Sequence, residues 1–140
     1  MNLDKTEYMC FVLYGDISTL DGKPLKLVEP FTFLGRDISS TERDINTRIG
    51  KAWTAMDKLS IIWKSDLTDK LKRDFFQAVA VSVLLYGSTT WTLTKRLENK
   101  LDGSCTRMLR AALNKSWRQH PTKKQLYRHL PPITQTIRER

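Results

Sequence analysis

The spacing of the apolar residues changes near Ser39, and this change restricts the folds that the chain can adopt. Before Ser39 the apolar residues form short runs rich in aromatic and β-branched side chains, which predict β-strands. After Ser39 they recur every three or four residues, which predicts amphipathic helices. The sequence therefore predicts an α+β fold, in which a small N-terminal antiparallel β-hairpin or sheet is followed by a mainly α-helical bundle.

The first forty residues predict two strands. One is Tyr8–Tyr14, and the other is Leu25–Gly35, in which Pro30 indicates an edge or a kink. Between them, Asp21-Gly22 is a typical hairpin turn signal. Because so small a sheet is only marginally stable alone, we expect it to need a packing partner.

The first predicted helix begins with a capping box, in which Ser39 precedes Glu42 by three positions. Its apolar positions form one helical stripe, which consists of Ile45, Ile49, Ala52, Trp53, Met56, Leu59 and Trp63. Gly50 lies inside this helix at a cost of about 1 kcal/mol relative to alanine. We therefore expect a close packing contact at Gly50.

A second helix is predicted from Asp66 to Tyr86, with Gly87 as its end. Its predicted apolar stripe consists of Leu67, Leu71, Phe75, Ala78, Val79, Ser82, Val83 and Tyr86. The β-branched content of residues 79–86 leaves a buried strand as the alternative for that stretch.

A third helix is predicted with its cap near Thr94 and a candidate kink at Asp102-Gly103. Its apolar stripe consists of Leu97, Leu101, Cys105, Met108, Leu109 and Ala112. A basic loop, a short helix that ends at Pro131-Pro132, and a last helix follow.

These boundaries predict three segments. Residues 1–38 form a β element, residues 39–114 form the helical bundle, and residues 115–140 form a basic segment whose last helix the chain end interrupts. We find no internal repeat and no low-complexity tract.

The basic charge of the chain is concentrated after residue 40. Residues 1–40 contain 4 Lys and Arg against 6 Asp and Glu, whereas residues 41–140 contain 20 against 9. The net charges of −2 and +11 add to the overall +9. A basic excess in one segment favours a polyanionic partner, with nucleic acid ahead of an anionic membrane. The alternative is a merely basic helical bundle.

The basic residues are densest in residues 115–140, which contain one acidic residue, Glu139. The cations are Lys115, Arg118, Lys123, Lys124, Arg128, Arg138 and Arg140. Basic groups neutralise phosphates, and the interleaved aromatic rings of Trp117 and Tyr127 can stack on bases. Core packing is the alternative for both rings, and a solvated helix face is the alternative for the charges.

Signals of catalysis are sparse in the sequence. The chain has no Asp-Asp pair, no G-x-S-x-G motif and no glycine-rich phosphate loop. Asp66 and Asp69 fall near a helix start, where acidic residues are stabilised by the helix dipole.

Signals of a metal site or a membrane span are equally sparse. Cys10, Cys105, His120 and His129 do not have the spacing of a structural zinc site, so no metal site is predicted. Cys105 lies on an apolar stripe, which predicts a core position.

No apolar run approaches the roughly twenty residues that a membrane-spanning helix needs. Two distant cysteines suit a reducing compartment, so we expect an intracellular protein, cytoplasmic or nuclear.

Six phrases follow one another along nearly the whole chain: NLDKTEYMCF, LVEPFTFLGRDISS, INTRIGKAWTAMDKL, LLYGSTTWTLTKRLENKLD, RMLRAALN and LPPITQTIRER. In this order, and with the patterns F-x-F-L-G and L-L-Y-G-x-x-x-W-T-L, they resemble the reverse transcriptases of LINE-type (non-LTR) retrotransposons. The resemblance covers the part of the polymerase that follows its catalytic centre.

The resemblance implies a role for each segment. DKTEYM is similar to the palm motif that follows the catalytic Asp-Asp pair, which makes Lys5 a candidate for assisting pyrophosphate departure or closing on the nucleotide. FTFLG is similar to the primer grip, with the candidate contacts Phe33, Leu34, Gly35 and Arg36. The helices that follow are then thumb-like and close on the template–primer duplex.

The fingers, the upstream palm, the Asp-Asp motif and an endonuclease domain have no counterpart in this sequence. Mg²⁺ would belong to the missing palm, so we predict no cofactor in this fragment and no DNA polymerisation by it alone. We expect sequence-independent binding to RNA or an RNA–DNA hybrid, through Arg36, Lys51, Lys58 and the basic residues from Lys115 to Arg128. The missing palm and fingers of the parent protein are a further expected partner.

Two alternatives remain open from the sequence. One is a small helical protein-interaction module whose apolar faces, once covered by the palm, bind a protein partner. The other is a retrotransposon remnant without a function.

Overall fold

The structure, a computed structural model, describes residues 6–9, 17–29, 32–119 and 121–139. Most of the predicted strand Tyr8–Tyr14 lies outside the described residues. The same holds for Lys5, Cys10, His120 and Arg140. The chain divides into two compact units, Met1–Ser40 and Thr41–Arg140, which are described separately. At this level the fold is α+β, with a small strand region followed by a mainly helical region.

The described strands of the first unit form two pairs. β1 (Glu7–Tyr8) pairs with β2 (Lys26–Leu27), and β3 (Thr32–Phe33) pairs with β4 (Arg36–Asp37). The first pair joins the two predicted strand segments, and it is parallel, so the antiparallel prediction is wrong for this pair. The second pair is antiparallel, but the sequence did not predict it, because its first strand lies within the single strand predicted from Leu25 to Gly35. The parallel direction is possible because a long connection joins β1 to β2, whereas a short turn joins β3 to β4.

The two turns of the first unit use glycine at positive φ. Gly22 has a φ of 74°, and its N–H donates to the carbonyl of Thr19 at 2.9 Å. In the β3–β4 hairpin, Phe33 pairs with Arg36, and the two loop residues Leu34 and Gly35 have φ of 50° and 73°. Positive φ at both loop positions is the type I′ turn, whose twist matches that of the flanking strands.

The second unit is helical. Its helices are α1 (Thr41–Lys58), α2 (Ser60–Lys64), α3 (Asp69–Phe76), α4 (Ser82–Leu84), α5 (Lys95–Ala112), α6 (Lys123–Tyr127) and α7 (Ile133–Arg138). A π-helical turn, Gln77–Val81, joins α3 to α4, and 3₁₀ turns occupy Ser88–Thr90 and Trp117–Gln119. The strand alternative for residues 79–86 is therefore wrong.

The helix starts differ in how well the sequence predicts them. Thr94 caps α5 as predicted, because its side chain accepts a hydrogen bond from the N–H of Leu97. α5 then continues without a break through Gly103. α3 begins later than predicted because Thr68, and not Asp66, caps it. α1 begins at Thr41, whereas an N-cap at Ser39 would place the first helical residue at position 40. The Ser39 N–H instead donates to the Asp37 carboxylate at 2.9 Å.

The core of the second unit lies between α1, the α3–α4 helix and α5, and α6 and α7 pack on α5. The predicted stripes of α1 and α5 supply much of it. The buried apolar residues are Ile45, Ala52, Met56, Trp63, Phe76, Ala80, Leu84, Leu85, Leu97, Leu101, Cys105, Met108, Leu109, Ala112, Leu113, Leu126, Leu130 and Ile133. Cys105 is a free, buried thiol, as predicted.

The predicted stripe of the second helix is wrong, because it lies mostly on the exposed face. Leu67, Leu71 and Phe75 are exposed, whereas Lys72 and Arg73 are buried. Lys and Arg bury their aliphatic stems when a partner takes the charged head, and Lys72 Nζ donates to the Trp63 carbonyl at 2.8 Å. The π turn adds a residue to its helical turn, which shifts the phase of the residues after it.

A buried polar cluster attaches the segment after α4 to the start of α1. Asp44 and Arg48 are 2% and 5% exposed, and Arg48 Nε lies 3.6 Å from Asp44 Oδ1. Trp91 Nε1 donates to Asp44 Oδ2 at 2.8 Å, and the Arg48 guanidinium lies 4.4 Å from the centre of the Tyr86 ring. This cluster gives the Tyr86 and Trp91 positions of the L-L-Y-G-x-x-x-W-T-L pattern a structural role.

The expected packing contact at Gly50 does not exist, because a Cβ atom there would have no described neighbour within 4 Å. We therefore expect Gly50→Ala to raise the free energy of unfolding by about 0.5–1 kcal/mol, since alanine loses less backbone entropy in a helix. Urea unfolding measures the change. The matched control is Gly87→Ala, where φ is 77°, and we expect it to lower the same free energy by about 1 kcal/mol. A loss of stability in Gly50→Ala would contradict the open helix face.

Candidate nucleic-acid interface

The short helix α6 is the centre of the basic surface. Its capping box is complete, because Thr122 Oγ1 accepts from the Gln125 N–H at 3.2 Å and Gln125 Oε1 accepts from the Thr122 N–H at 3.0 Å. The five helical residues are Lys123–Tyr127, of which Leu126 is buried and Lys123 and Lys124 are exposed. The helix therefore presents two ammonium groups to solvent while its leucine holds it on the core.

Arg73 of α3 holds α6 in place by two hydrogen bonds to its backbone. Its Nε donates to the Leu126 carbonyl at 2.8 Å, and its Nη2 donates to the Gln125 carbonyl at 3.4 Å. The Arg73 side chain is 3% exposed. Burial lowers the pKa of Arg73, the Asp69 carboxylate opposes this shift, and the positive charge of Arg128 adds to it. The sequence does not single out Arg73, because Arg73 lies in the charged run Asp69–Asp74, which a hydrophobicity pattern assigns to solvent.

A cavity of about 250 Å³ lies on one side of α6, and we call it the arginine hollow. Its lining residues are Asp69, Arg73, Leu113, Lys115, Pro121, Gln125, Leu126 and Arg128. Asp69 Oδ2 lies 3.8 Å from Lys115 Nζ and 4.0 Å from Arg73 Nη2. Both distances exceed those of a direct hydrogen bond, so the carboxylate screens these cations only loosely.

A second cavity, of about 370 Å³, also borders α6, and we call it the lysine hollow. Its lining residues are Asp102, Lys123, Lys124, Tyr127, Pro132 and Thr134. Asp102 Oδ2 accepts from Thr134 Oγ1 at 3.3 Å, and Tyr127 Oη lies 2.9 Å from Thr106 Oγ1. Tyr127 is half-buried. Part of its ring therefore packs against the core, which is the alternative to base stacking for this residue.

The structure brings four of the predicted basic contacts to α6 and its two hollows: Lys115, Lys123, Lys124 and Arg128. Arg118 is exposed in the 3₁₀ turn before α6, and Lys51 and Lys58 are exposed on α1. None of these three residues lines either hollow. Arg138 pairs with Glu98 at 2.6 Å, so part of the basic charge is used within the unit.

The primer-grip candidates lie in the hairpin of the first unit. Leu34 and Gly35 form its turn, and Phe33 and Arg36 form the strand pair beside it. Phe33 and Leu34 are 56% and 72% exposed, whereas Arg36 is half-buried. The hairpin therefore presents two large apolar side chains to its surroundings.

Among the described residues, no group of three or more His, Cys, Asp or Glu side chains is placed to hold a metal ion. His129 Nε2 lies 3.2 Å from Asp74 Oδ1 at the surface, whereas Cys105 is buried. Within the described part of the chain, no helix is both long and apolar enough to cross a bilayer.

Comparison with known proteins gives no relative. The chain matches no family model, no curated protein and no solved structure.

We expect Arg73→Met to lower the free energy of unfolding by about 2 kcal/mol or more, because two backbone carbonyls of α6 lose a charged donor. Urea unfolding followed by circular dichroism measures the loss. Lys70→Met is the matched control, since Lys70 is exposed on the same helix, and we expect a change within about 0.5 kcal/mol. Equal effects of the two substitutions would show that Arg73 does not hold α6.

Stability should fall in alkali. Burial raises the pKa of the Cys105 thiol from 9.0 to about 12, partly opposed by a hydrogen bond with Tyr127, and burial also raises the pKa of Tyr127. Above pH 9 the unfolded chain ionises Cys105 while the folded chain does not, so stability decreases as pH rises from 9 to 12. Urea midpoints at several pH values test this. Cys105→Ala should flatten the decrease, and an unchanged slope would contradict the assignment.

Proposed function

We propose that the chain is part of an RNA-directed DNA polymerase of the LINE type, and that it binds RNA or an RNA–DNA hybrid without sequence preference. The single observation that carries this proposal is the pair of basic hollows on α6. Their four exposed cations are Lys115, Lys123, Lys124 and Arg128, and Arg73 lies beneath them. In this proposal the helical unit is the thumb-like part, and the chain's partner is the phosphate backbone.

The electrostatics of this surface support a polyanionic partner. Of the described acidic residues, Asp102 alone shares the lysine hollow with Lys123 and Lys124. Within the same part of the chain, Asp69 is the one acidic residue that lines the arginine hollow. A backbone phosphate carries one charge and gains from each cation it approaches, and it releases bound counterions when it is neutralised. Readout of base edges is not required for this kind of binding.

The hairpin supports a separate contact in the proposal. Leu34 has a φ of 50° at the turn, which is costly for a residue with a branched side chain. Strained backbone at exposed positions is frequent where a protein contacts a ligand. We therefore assign the exposed Phe33 and Leu34 side chains to the nucleic-acid end that a primer grip would hold. Gly35 lets the chain turn there, and Arg36 provides a charge beside it.

Polymerisation by this chain alone is not part of the proposal. The sequence has no Asp-Asp pair, and the metal-binding palm of such enzymes supplies the carboxylates that hold Mg²⁺. Lys5 stays a prediction, since it lies outside the described residues.

A titration with a fluorescent RNA–DNA hybrid tests the proposal. We expect the logarithm of the binding constant to fall linearly with the logarithm of the salt concentration. Lys124→Ala should reduce the slope by about 0.7–0.9, the contribution of one phosphate contact. Lys64→Ala, which removes an exposed lysine of α2, is the control and should leave the slope unchanged. Affinity that does not depend on salt, or equal slopes for the two variants, would reject the proposal.

A protein-interaction module is the second candidate, and one observation favours it. Leu71 and Phe75 lie on α3 and Leu67 lies just before its cap, and the three residues are 41%, 36% and 38% exposed. An exposed apolar patch of this kind is typical of a surface that a partner covers. Light scattering beside the hybrid titration separates the candidates, because self-association without hybrid binding would favour the module.

A further inference from the structure

The charges of the arginine hollow are unbalanced. Arg73, Lys115 and Arg128 contribute three positive charges to its wall, and Asp69 contributes one negative charge. The net charge of these four side chains is therefore +2 around a concave space of about 250 Å³. Concave walls of low dielectric strengthen the field of such charges at the centre of the space.

Arg73 keeps hydrogen-bond donors that no described residue uses. Its side chain is 97% buried by area, since 3% is exposed. Nε and Nη2 donate to the carbonyls of Leu126 and Gln125. These bonds leave Nη1 without a hydrogen-bond partner among the described residues. A buried guanidinium with unused donors at a cavity wall is suited to an oxyanion, which can accept two parallel hydrogen bonds.

Arg128 is held in the hollow against two unfavourable effects. Its backbone φ is 50° and ψ is −101°, outside the regions favoured by residues other than glycine. Its positive charge also acts on that of Arg73, so the two guanidinium groups repel one another. Strain of this kind is frequent at ligand-binding positions, and an anion between the two arginines would remove the repulsion.

We propose that the arginine hollow binds the terminal phosphate group of a nucleic-acid strand. A terminal phosphate is a monoester with a charge of about −1.5 to −2 at neutral pH, which matches the +2 of the hollow. A phosphate inside the strand is a diester with a single charge and two flanking sugars, which suits the exposed lysines better than a hollow. Arg73 and Arg128 hold the phosphate oxygens, Lys115 neutralises charge, and Asp69 competes with the ligand for the cations. This inference rests on the proposed nucleic-acid binding and adds the strand end as the group recognised.

Matched oligonucleotide strands test the inference. The probes are one sequence with a 5′-phosphate, a 3′-phosphate or hydroxyl groups at both ends, and binding is measured by fluorescence anisotropy at roughly 150 mM salt. We expect at least one phosphorylated strand to bind about tenfold more tightly than the hydroxyl strand, as one or two charge-assisted hydrogen bonds require.

Substitutions in the wall of the hollow sharpen the test. Arg128→Gln and Lys115→Gln should each reduce the preference for the phosphorylated strand, since both remove an exposed charge. Asp69→Asn should increase the preference, because it removes the competing carboxylate. Lys64→Gln, at an exposed site on α2, is the control of equal charge change. Circular dichroism confirms that each variant is folded.

Each outcome decides between the proposals. Equal binding of all three strands, with salt-dependent affinity intact, overturns the terminal-phosphate site and leaves the proposed function standing. A preference that persists in the Arg128→Gln, Lys115→Gln double variant also overturns the site. Competition by inorganic phosphate or a phosphoserine peptide at the concentration where the strand binds would overturn the assignment to a nucleic-acid end. If no strand binds at any salt concentration, both proposals fail.

Discussion

The candidate interface depends on one buried contact, in which the Arg73 guanidinium donates to the carbonyls of Leu126 and Gln125. α6 has five residues, far fewer than an isolated helix needs to be stable in water. A cation near the end of a helix satisfies carbonyls that lack a partner and interacts favourably with the helix dipole. Arg73 therefore links α3 to α6 across more than fifty residues of sequence and fixes the position from which the exposed lysines of α6 point into solvent.

Basic residues of the second unit serve the fold as well as its surface. Lys72 donates to the Trp63 carbonyl, and Arg48 pairs with Asp44 beneath the Tyr86 ring. These side chains are buried, so they add to the net charge without being accessible to a phosphate backbone. A basic composition alone overstates the surface available to nucleic acid. The exposed cations around α6 are the ones that a phosphate backbone can reach.

The sequence predicts α1 and α5 well because their apolar residues keep the helical period and their burial follows from it. It predicts the second helix but not its buried face, since Lys72 and Arg73 occupy core positions and a π turn changes the phase. The two hollows were beyond prediction for a different reason. Each combines a segment of α3 or α5 with α6, and periodicity carries no information about which distant helices meet. The basic residues around Lys123 were predicted from charge density alone.

The turn of the β3–β4 hairpin was predicted only in part from the sequence. The sequence indicates a strand that stops at Gly35, and the structure gives a type I′ turn in which Leu34 also has positive φ. Asparagine before glycine adopts this turn with little strain, whereas a larger side chain costs about 1–2 kcal/mol there. Because Leu34 is 72% exposed, it recovers little of this cost by burial. A leucine in such a position therefore does not favour the stability of the turn, and this strain is the physical basis for the proposed contact between Leu34 and a strand end.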